Sequence, residues 1–126
     1  MSEPTKSTQS VDPAQIGIGE VAHYNLERLY ADKHFPEMRN AYKFAIAYAL
    51  SKGARPTKLE SSRKNVFSIS TIDPDGLLRL AIETLYPVGD ESPYRIAERL
   101  ADWGVGEVTR LVYEEYKSIG DLLPDA

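Results

Sequence analysis

The hydrophobic positions of this chain fall into stretches of helical spacing punctuated by proline and glycine. The clearest stretch begins at Pro36, whose fixed φ suits a first helical residue, and Glu37 complements the positive end of the helix dipole. Met38, Ala41, Tyr42, Ala45 and Ala49 recur on one face with Ile46 on its flank, while Arg39, Asn40, Lys43 and Ser51 fall opposite. Gly53 and then Pro56 supply the stop. The pattern predicts a helix over 36–52, with alanines on the apolar stripe that let another helix come close.

Two further starts share a cap-then-proline signature, Asp73-Pro74 and Ser92-Pro93. After the first, Leu77, Leu78, Leu80, Ala81, Ile82 and Leu85 predict a largely buried helix that ends at Tyr86-Pro87. After the second, Tyr94, Ile96, Ala97 and Leu100 carry a helix to Trp103. Gly104-Val105-Gly106 then reads as a break, and Val108, Leu111, Val112 and Tyr116 as a final helix to about Ser118. Between Glu20 and Asp32 two patterns compete. Ala22, Leu26, Leu29 and Tyr30 fit a helix, whereas Ala22, Tyr24 and Leu26 alternate with His23, Asn25 and Glu27 as in a strand. Length favours the helix, and the strand is kept as the alternative. Ile16-Gly17-Ile18-Gly19 reads as a loose apolar lead-in, and Val66–Ser70 as a short strand or extended segment. Residues 1–15 are rich in Ser, Thr, Gln and Pro and read as a disordered tail; 120–126 read as a flexible end. The expected architecture is all-α or nearly so, a domain over 16–119 with four to five helices and at most one short β segment.

Composition narrows the class. A chain of 126 residues suits one domain and can bury a core without staples, and the absence of cysteine removes disulfides and thiolate metal sites. The longest apolar run, Phe44–Leu50, is far short of the roughly 20 residues of a membrane span. The polar N-terminus lacks the apolar stretch of a secretory signal, so a cytoplasmic protein is expected, with no membrane partner. The net charge of -4 is unevenly spread. Residues 37–64 carry seven basic and two acidic groups, and residues 65–126 carry five basic and twelve acidic.

Candidate chemistry is sparse. The two histidines, His23 and His34, have no spacing that suits a metal and no nucleophile motif beside them. Glu114-Glu115 reads as a solvated helix face, Asp73 as a cap and Asp75 as part of the same first turn, and no carboxylate pair is marked as buried. Gly17-x-Gly19 and Gly104-x-Gly106 do not extend to a dinucleotide or phosphate-loop pattern. The expectation is therefore a chain without catalytic residues, metal or cofactor. The feature that stands out is the basic run Lys52, Arg55, Lys58, Arg63 and Lys64, with Ser61 and Ser62 among it. Three readings stay open for it: a solvated loop, contact with nucleic-acid phosphates, or docking to an acidic protein surface, including that of a second copy. No aromatic residue interleaves the run, so base stacking is not indicated. Six of the eight tyrosines, Tyr42, Tyr48, Tyr86, Tyr94, Tyr113 and Tyr116, sit at or near apolar faces, as core or interface residues do.

The succession Phe35-Pro36-Glu37-Met38-Arg39-Asn40-Ala41-Tyr42-Lys43-Phe44-Ala45-Ile46-Ala47-Tyr48-Ala49-Leu50, closed by Ser51-Lys52-Gly53, then Leu77–Leu85, then Tyr94–Gly104, resembles small accessory proteins encoded beside bacterial DNA phosphorothioation and other phage-defence systems. In that group an alanine-rich helix ending in Lys-Gly precedes a buried helix and then a helix closed by a small residue and glycine. The likeness covers about 36–112. It implies a non-catalytic subunit of a DNA-targeting system that docks on a larger protein, with no catalytic residues to carry over. A second likeness is to ribbon-helix-helix repressors, which read the major groove with strand side chains of a dimer. It requires a strand within Glu20–Asp32, and His23, Asn25 and Arg28 are then the readers.

Overall fold

Ile16 and Ile18 are the only large apolar residues in the first stretch of the domain, and they anchor it. The computed structural model describes residues 13–122. In it Gln15–Gly19 is a strand, β1, with both isoleucines fully buried, and not a loose lead-in. The alternation of isoleucine and glycine is itself a strand pattern: side chains on one face, bare backbone on the other. β1 pairs antiparallel with β2, Arg63–Ser68, in the register Gly19↔Arg63, Ile18↔Lys64 and Gly17↔Asn65. A bulge between Ile16 and Gly17 shifts the register to Ile16↔Phe67 and Gln15↔Ser68. The basic residues Arg63 and Lys64 therefore stand on a strand, and β2 begins earlier than the expected Val66.

The first helix, α1, spans Glu20–Ala31 and buries Ala22, Leu26 and Leu29. Helical spacing wins over alternation because those three residues reach the core together, whereas Tyr24 is left exposed. The strand alternative for this segment is overturned. His23, Asn25 and Arg28 lie on a helix and cannot read a groove as ribbon side chains. The helix ends where Lys33 takes a left-handed φ of 65° and the His34 N–H donates to the Leu29 carbonyl at 3.0 Å. The second helix, α2, spans Met38–Ser51 and buries Ala41, Tyr42, Ala45, Ile46, Tyr48 and Ala49. It stops as expected: Gly53 is left-handed, and the Ala54 N–H bonds the Ala49 carbonyl.

A single turn, α3 (Ile69–Ile72), follows β2, and Ser68 caps it through the Thr71 N–H. Helix α4 spans Leu77–Leu85, three residues later than the Asp73-Pro74 signature indicates. Asp73 still caps it, but across the turn: its carboxylate accepts the N–H groups of Leu78 and Arg79, both at 2.9 Å. Helix α5 spans Pro93–Tyr113 without interruption. Gly104-Val105-Gly106 was expected to break it and does not. Gly104 is the point at which α2 lies against α5, and a Cβ there would come 2.2 Å from the Ala45 carbonyl oxygen. The glycine serves close helix packing, with the alanines of α2 as its counterpart. The helix stops at Tyr113, short of Ser118, and Tyr116 takes a left-handed φ of 58° in solvent. It is not the core residue its spacing suggested. Ile119–Leu122 forms a 3₁₀ turn that buries Leu122, so the flexible end expected from Gly120 is a docked turn as far as residue 122. The tail expected over 1–15 ends sooner: Gln15 stands in β1 and the Ala14 carbonyl accepts the Ile69 N–H at 3.0 Å, while 1–12, like 123–126 of the expected flexible end, lie outside the described residues.

The order of elements gives two strand–helix–helix units, β1–α1–α2 and β2–α4–α5, joined through the two strands. Helices α2 and α5 make the broadest contact, and α1 packs on both. Its counterpart α4 packs on α5, while the short α3 takes the place against α2. The molecule is mostly helical, with five α-helices and one two-stranded ribbon among the described residues. No helix among them is long and apolar enough to cross a membrane.

Candidate interaction surface

The five basic residues singled out above do not act as one patch. Arg63 donates from Nε to Glu98 Oε1 at 3.0 Å and from Nη2 to Glu98 Oε2 at 2.6 Å. The hydrogen bond to Glu98 also raises the Arg63 pKa. The Arg55 guanidinium lies 4.4 Å from the centre of the Tyr86 ring, and the Lys52 ammonium 5.5 Å from that of Tyr48. All five are exposed, and among the described residues Lys58 and Lys64 make no such contact.

Sequence reasoning missed three buried carboxylates, Asp73, Glu98 and Asp102. Glu98 and Asp102, four residues apart on α5, lie along the edge of β1 that β2 does not occupy. The Gly17 N–H donates to Glu98 Oε2 at 2.8 Å, and the Gly19 N–H to Asp102 Oδ1 at 2.9 Å. The Tyr42 hydroxyl donates to the Gly17 carbonyl at 2.7 Å. Side chains thus replace a third strand and close an edge that could otherwise pair with another chain. Arg95 adds a third cationic hydrogen bond to Glu98 at 2.7 Å, and the Glu60 N–H bonds Asp102 Oδ2 at 3.0 Å. Burial, reinforced by Glu98, holds the Tyr42 hydroxyl well above the usual phenol pKa. Each carboxylate is saturated by donors, so none is a free base in a cleft. The spacing of Glu98 and Asp102 on the inner face of an amphipathic helix was the one available signal, since both follow the phase of Tyr94 and Ala101 rather than of the solvent face.

The histidines are equally engaged in structure. His34 packs edge-on against Tyr113 at 5.5 Å, and His23 Nδ1 lies 3.9 Å from Glu27. Among the described residues no group of three or more His, Asp or Glu is placed to share a metal ion. A cleft of about 340 Å³ between the end of α2 and the 3₁₀ turn carries Lys52, Lys117 and Asp121, a mixed-sign lining without a converging charge.

The departure from ordinary surface chemistry lies on α4. Leu77, Leu80 and Leu85 are 62%, 58% and 58% exposed, while Ile82 is fully buried. At 100° per residue, Ile82 and Leu78 point to the core. Leu85, Ala81, Leu77, Thr84 and Leu80 continue the apolar arc away from it, to the boundary set by Glu83. An ordinary surface helix buries its apolar stripe, whereas this one buries about half. Among the described residues the exposed large side chains elsewhere are Val21 and Tyr24, one turn apart on α1, and the single tyrosines Tyr30 and Tyr116.

Comparison with protein-family models, with curated proteins and with solved structures finds no match to this chain.

Proposed function

We propose that this chain is a non-catalytic interaction module, a small accessory subunit that docks on a larger protein through α4. The observation that carries the reading is the uncovered leucine face of that helix. The three leucines leave on the order of 300 Å² of apolar surface in water, comparable to the largest patch a monomer ordinarily shows, which is often functional. Covering it contributes roughly 3–5 kcal/mol, at 1.5–3 kcal/mol per fully buried leucine and about three-fifths of each exposed. The saturation of every buried carboxylate supports the same reading, because it leaves them tied to the architecture. The resemblance to accessory proteins of DNA phosphorothioation and phage-defence systems supplies the setting, a DNA-targeting bacterial assembly in the cytoplasm. The test is affinity capture from the native host with the wild-type chain and with Leu77→Gln plus Leu80→Gln. A stoichiometric larger partner that is lost from the double variant upholds the proposal. Capture that ignores α4, or no partner at all, refutes it.

Direct binding to duplex DNA is the second reading, favoured by the exposure of Lys58 and Lys64 beside the ribbon. With Lys52 and Arg55 also exposed, the segment offers four cations outside the Glu98 pairing, which neutralise about four phosphates at most, so log K falls against log salt with a slope no steeper than about −4. Mobility shift with Lys58→Ala plus Lys64→Ala separates the two readings.

A further inference from the structure

We infer that the partner segment received by α4 is an amphipathic helix whose apolar stripe is flanked by lysine or arginine; this rests on the docking role given to α4 above. The rim of the leucine face carries more acidic than basic groups. Asp75 stands at its start, where its carboxylate accepts the Leu77 N–H at 3.2 Å. Glu83 borders Leu80 around the helix, and Asp90 lies exposed in the turn beyond Leu85. Glu83 is ion-paired with the one cation on the helix, Arg79, whose Nε lies 3.3 Å away, and the Arg55 guanidinium sits on the Tyr86 ring past the end of the helix, so the uncompensated acids of the border among the described residues are Asp75 and Asp90. Glu91 is taken up by Arg99, through two hydrogen bonds of 2.7 Å, and adds no free charge. A leucine face with this border matches a partner that brings leucine-like anchors at three- and four-residue spacing and cations beside them.

Other occupants fit less well. A second copy in an isologous contact brings the same acidic rim against itself. The chain's own segments outside the described residues are poor in anchors: over 1–12 the large apolar side chains are Met1 and Val11, and over 123–126 Leu123 alone. An anionic lipid surface meets the acidic border with like charge.

The experiment uses fluorescence anisotropy of two labelled 18-residue helical peptides at physiological salt. One is built of leucine and lysine with amphipathic spacing, the other of leucine and glutamate with the same spacing. The wild-type chain is expected to bind the lysine peptide at least tenfold more tightly than the glutamate peptide. Leu77→Gln plus Leu80→Gln should weaken that binding tenfold or more, and so should Asp75→Lys plus Glu83→Lys. Glu114→Lys plus Glu115→Lys makes the same change in net charge past the far end of α5, some 30 Å of helix from Tyr94, and should leave affinity within twofold. Circular dichroism and urea midpoints confirm that each variant is folded. Equal affinity for the two peptides, indifference to the leucine variant, or equal loss in the Glu114/Glu115 variant overturns the inference. If the chain ignores both peptides but forms a dimer that the leucine variant abolishes, α4 is an interface and the partner chemistry is wrong. If neither peptide binding nor self-association senses the leucine variant, the docking role of α4 falls as well.

Discussion

Gly104→Ala and Gly106→Ala change the same kind of residue, two positions apart on one helix, and should move stability in opposite directions. At Gly104 a methyl group would sit 2.2 Å from the Ala45 carbonyl oxygen, 2.7 Å from its carbonyl carbon and 3.1 Å from its Cα. These are backbone atoms in the middle of α2 and cannot rotate away, so the two helices must separate by about 1 Å to restore ordinary contact. Overpacking of this kind costs about 1–3 kcal/mol, offset by the about 0.5–1 kcal/mol that alanine gains over glycine within a helix. The net expectation is a loss of up to about 2.5 kcal/mol. At Gly106 an added Cβ meets nothing within 4 Å, so only the helix gain remains. The helix gain is common to both, so the two variants should differ by the overpacking cost, about 1–3 kcal/mol. With an m-value near ~1.5 kcal/mol per molar urea, that is a gap of about 0.7–2 M between unfolding midpoints. Equal stabilisation by both substitutions would refute the reasoning, since it would mean that α5 is not pressed against α2 at Gly104.

Truncating Glu98 to alanine strips the acceptor from the Gly17 N–H, from Arg63 and from Arg95. Both arginines are exposed enough to be solvated, so the main cost is the unsatisfied Gly17 N–H, about 1–3 kcal/mol in urea unfolding, and no loss at all would contradict the edge-closing role. Burial and hydrogen bonds to Asp73 and Asp32 push the hydroxyls of Tyr94 and Tyr113 up to about 12 from 10.0. A pKa raised on folding means that the stability these groups lend is complete below about pH 10 and is lost as pH climbs towards 12. Ultraviolet titration of the folded chain should show late-ionising phenols, which merge with the others in denaturant. Duplex DNA binding through the basic segment should show a salt slope no steeper than about −4, and a slope well beyond that would demand Arg63, which Glu98 holds, or cations outside 52–64.

The helices with a one-sided apolar stripe were legible from spacing. Helix α2 was expected over 36–52 and spans Met38–Ser51, and the Ser92-Pro93 start of α5 is where the signature puts it, with Ser92 accepting the Tyr94 N–H. What spacing could not carry is the reason for a glycine. Gly104 looks like a breaker in isolation and is a packing residue only in the presence of Ala45, which lies 59 positions away. Ile16–Gly19 reads as a lead-in because four residues give little periodicity and β2, its partner, lies more than forty residues downstream. Asp73 was read correctly as a cap and misplaced by a turn, because its carboxylate reaches Leu78 and Arg79 across Pro74–Gly76. The site suffered most from the same limit. The basic run is contiguous in sequence, yet Arg63 finds its charge partner on α5 and Arg55 finds a ring. The leucines of α4 read as buried because hydrophobicity reports what a residue prefers and not whether a neighbour is there to cover it.

Hydrogen exchange on the chain, alone and bound to the partner captured from its host, is the most direct measurement of that cover. Docking on α4 predicts slowed exchange across Leu77–Leu85, with the amides of 52–64 little changed. Unaltered exchange in α4 together with protection of 52–64 would contradict it and would hand the interface to the basic segment instead.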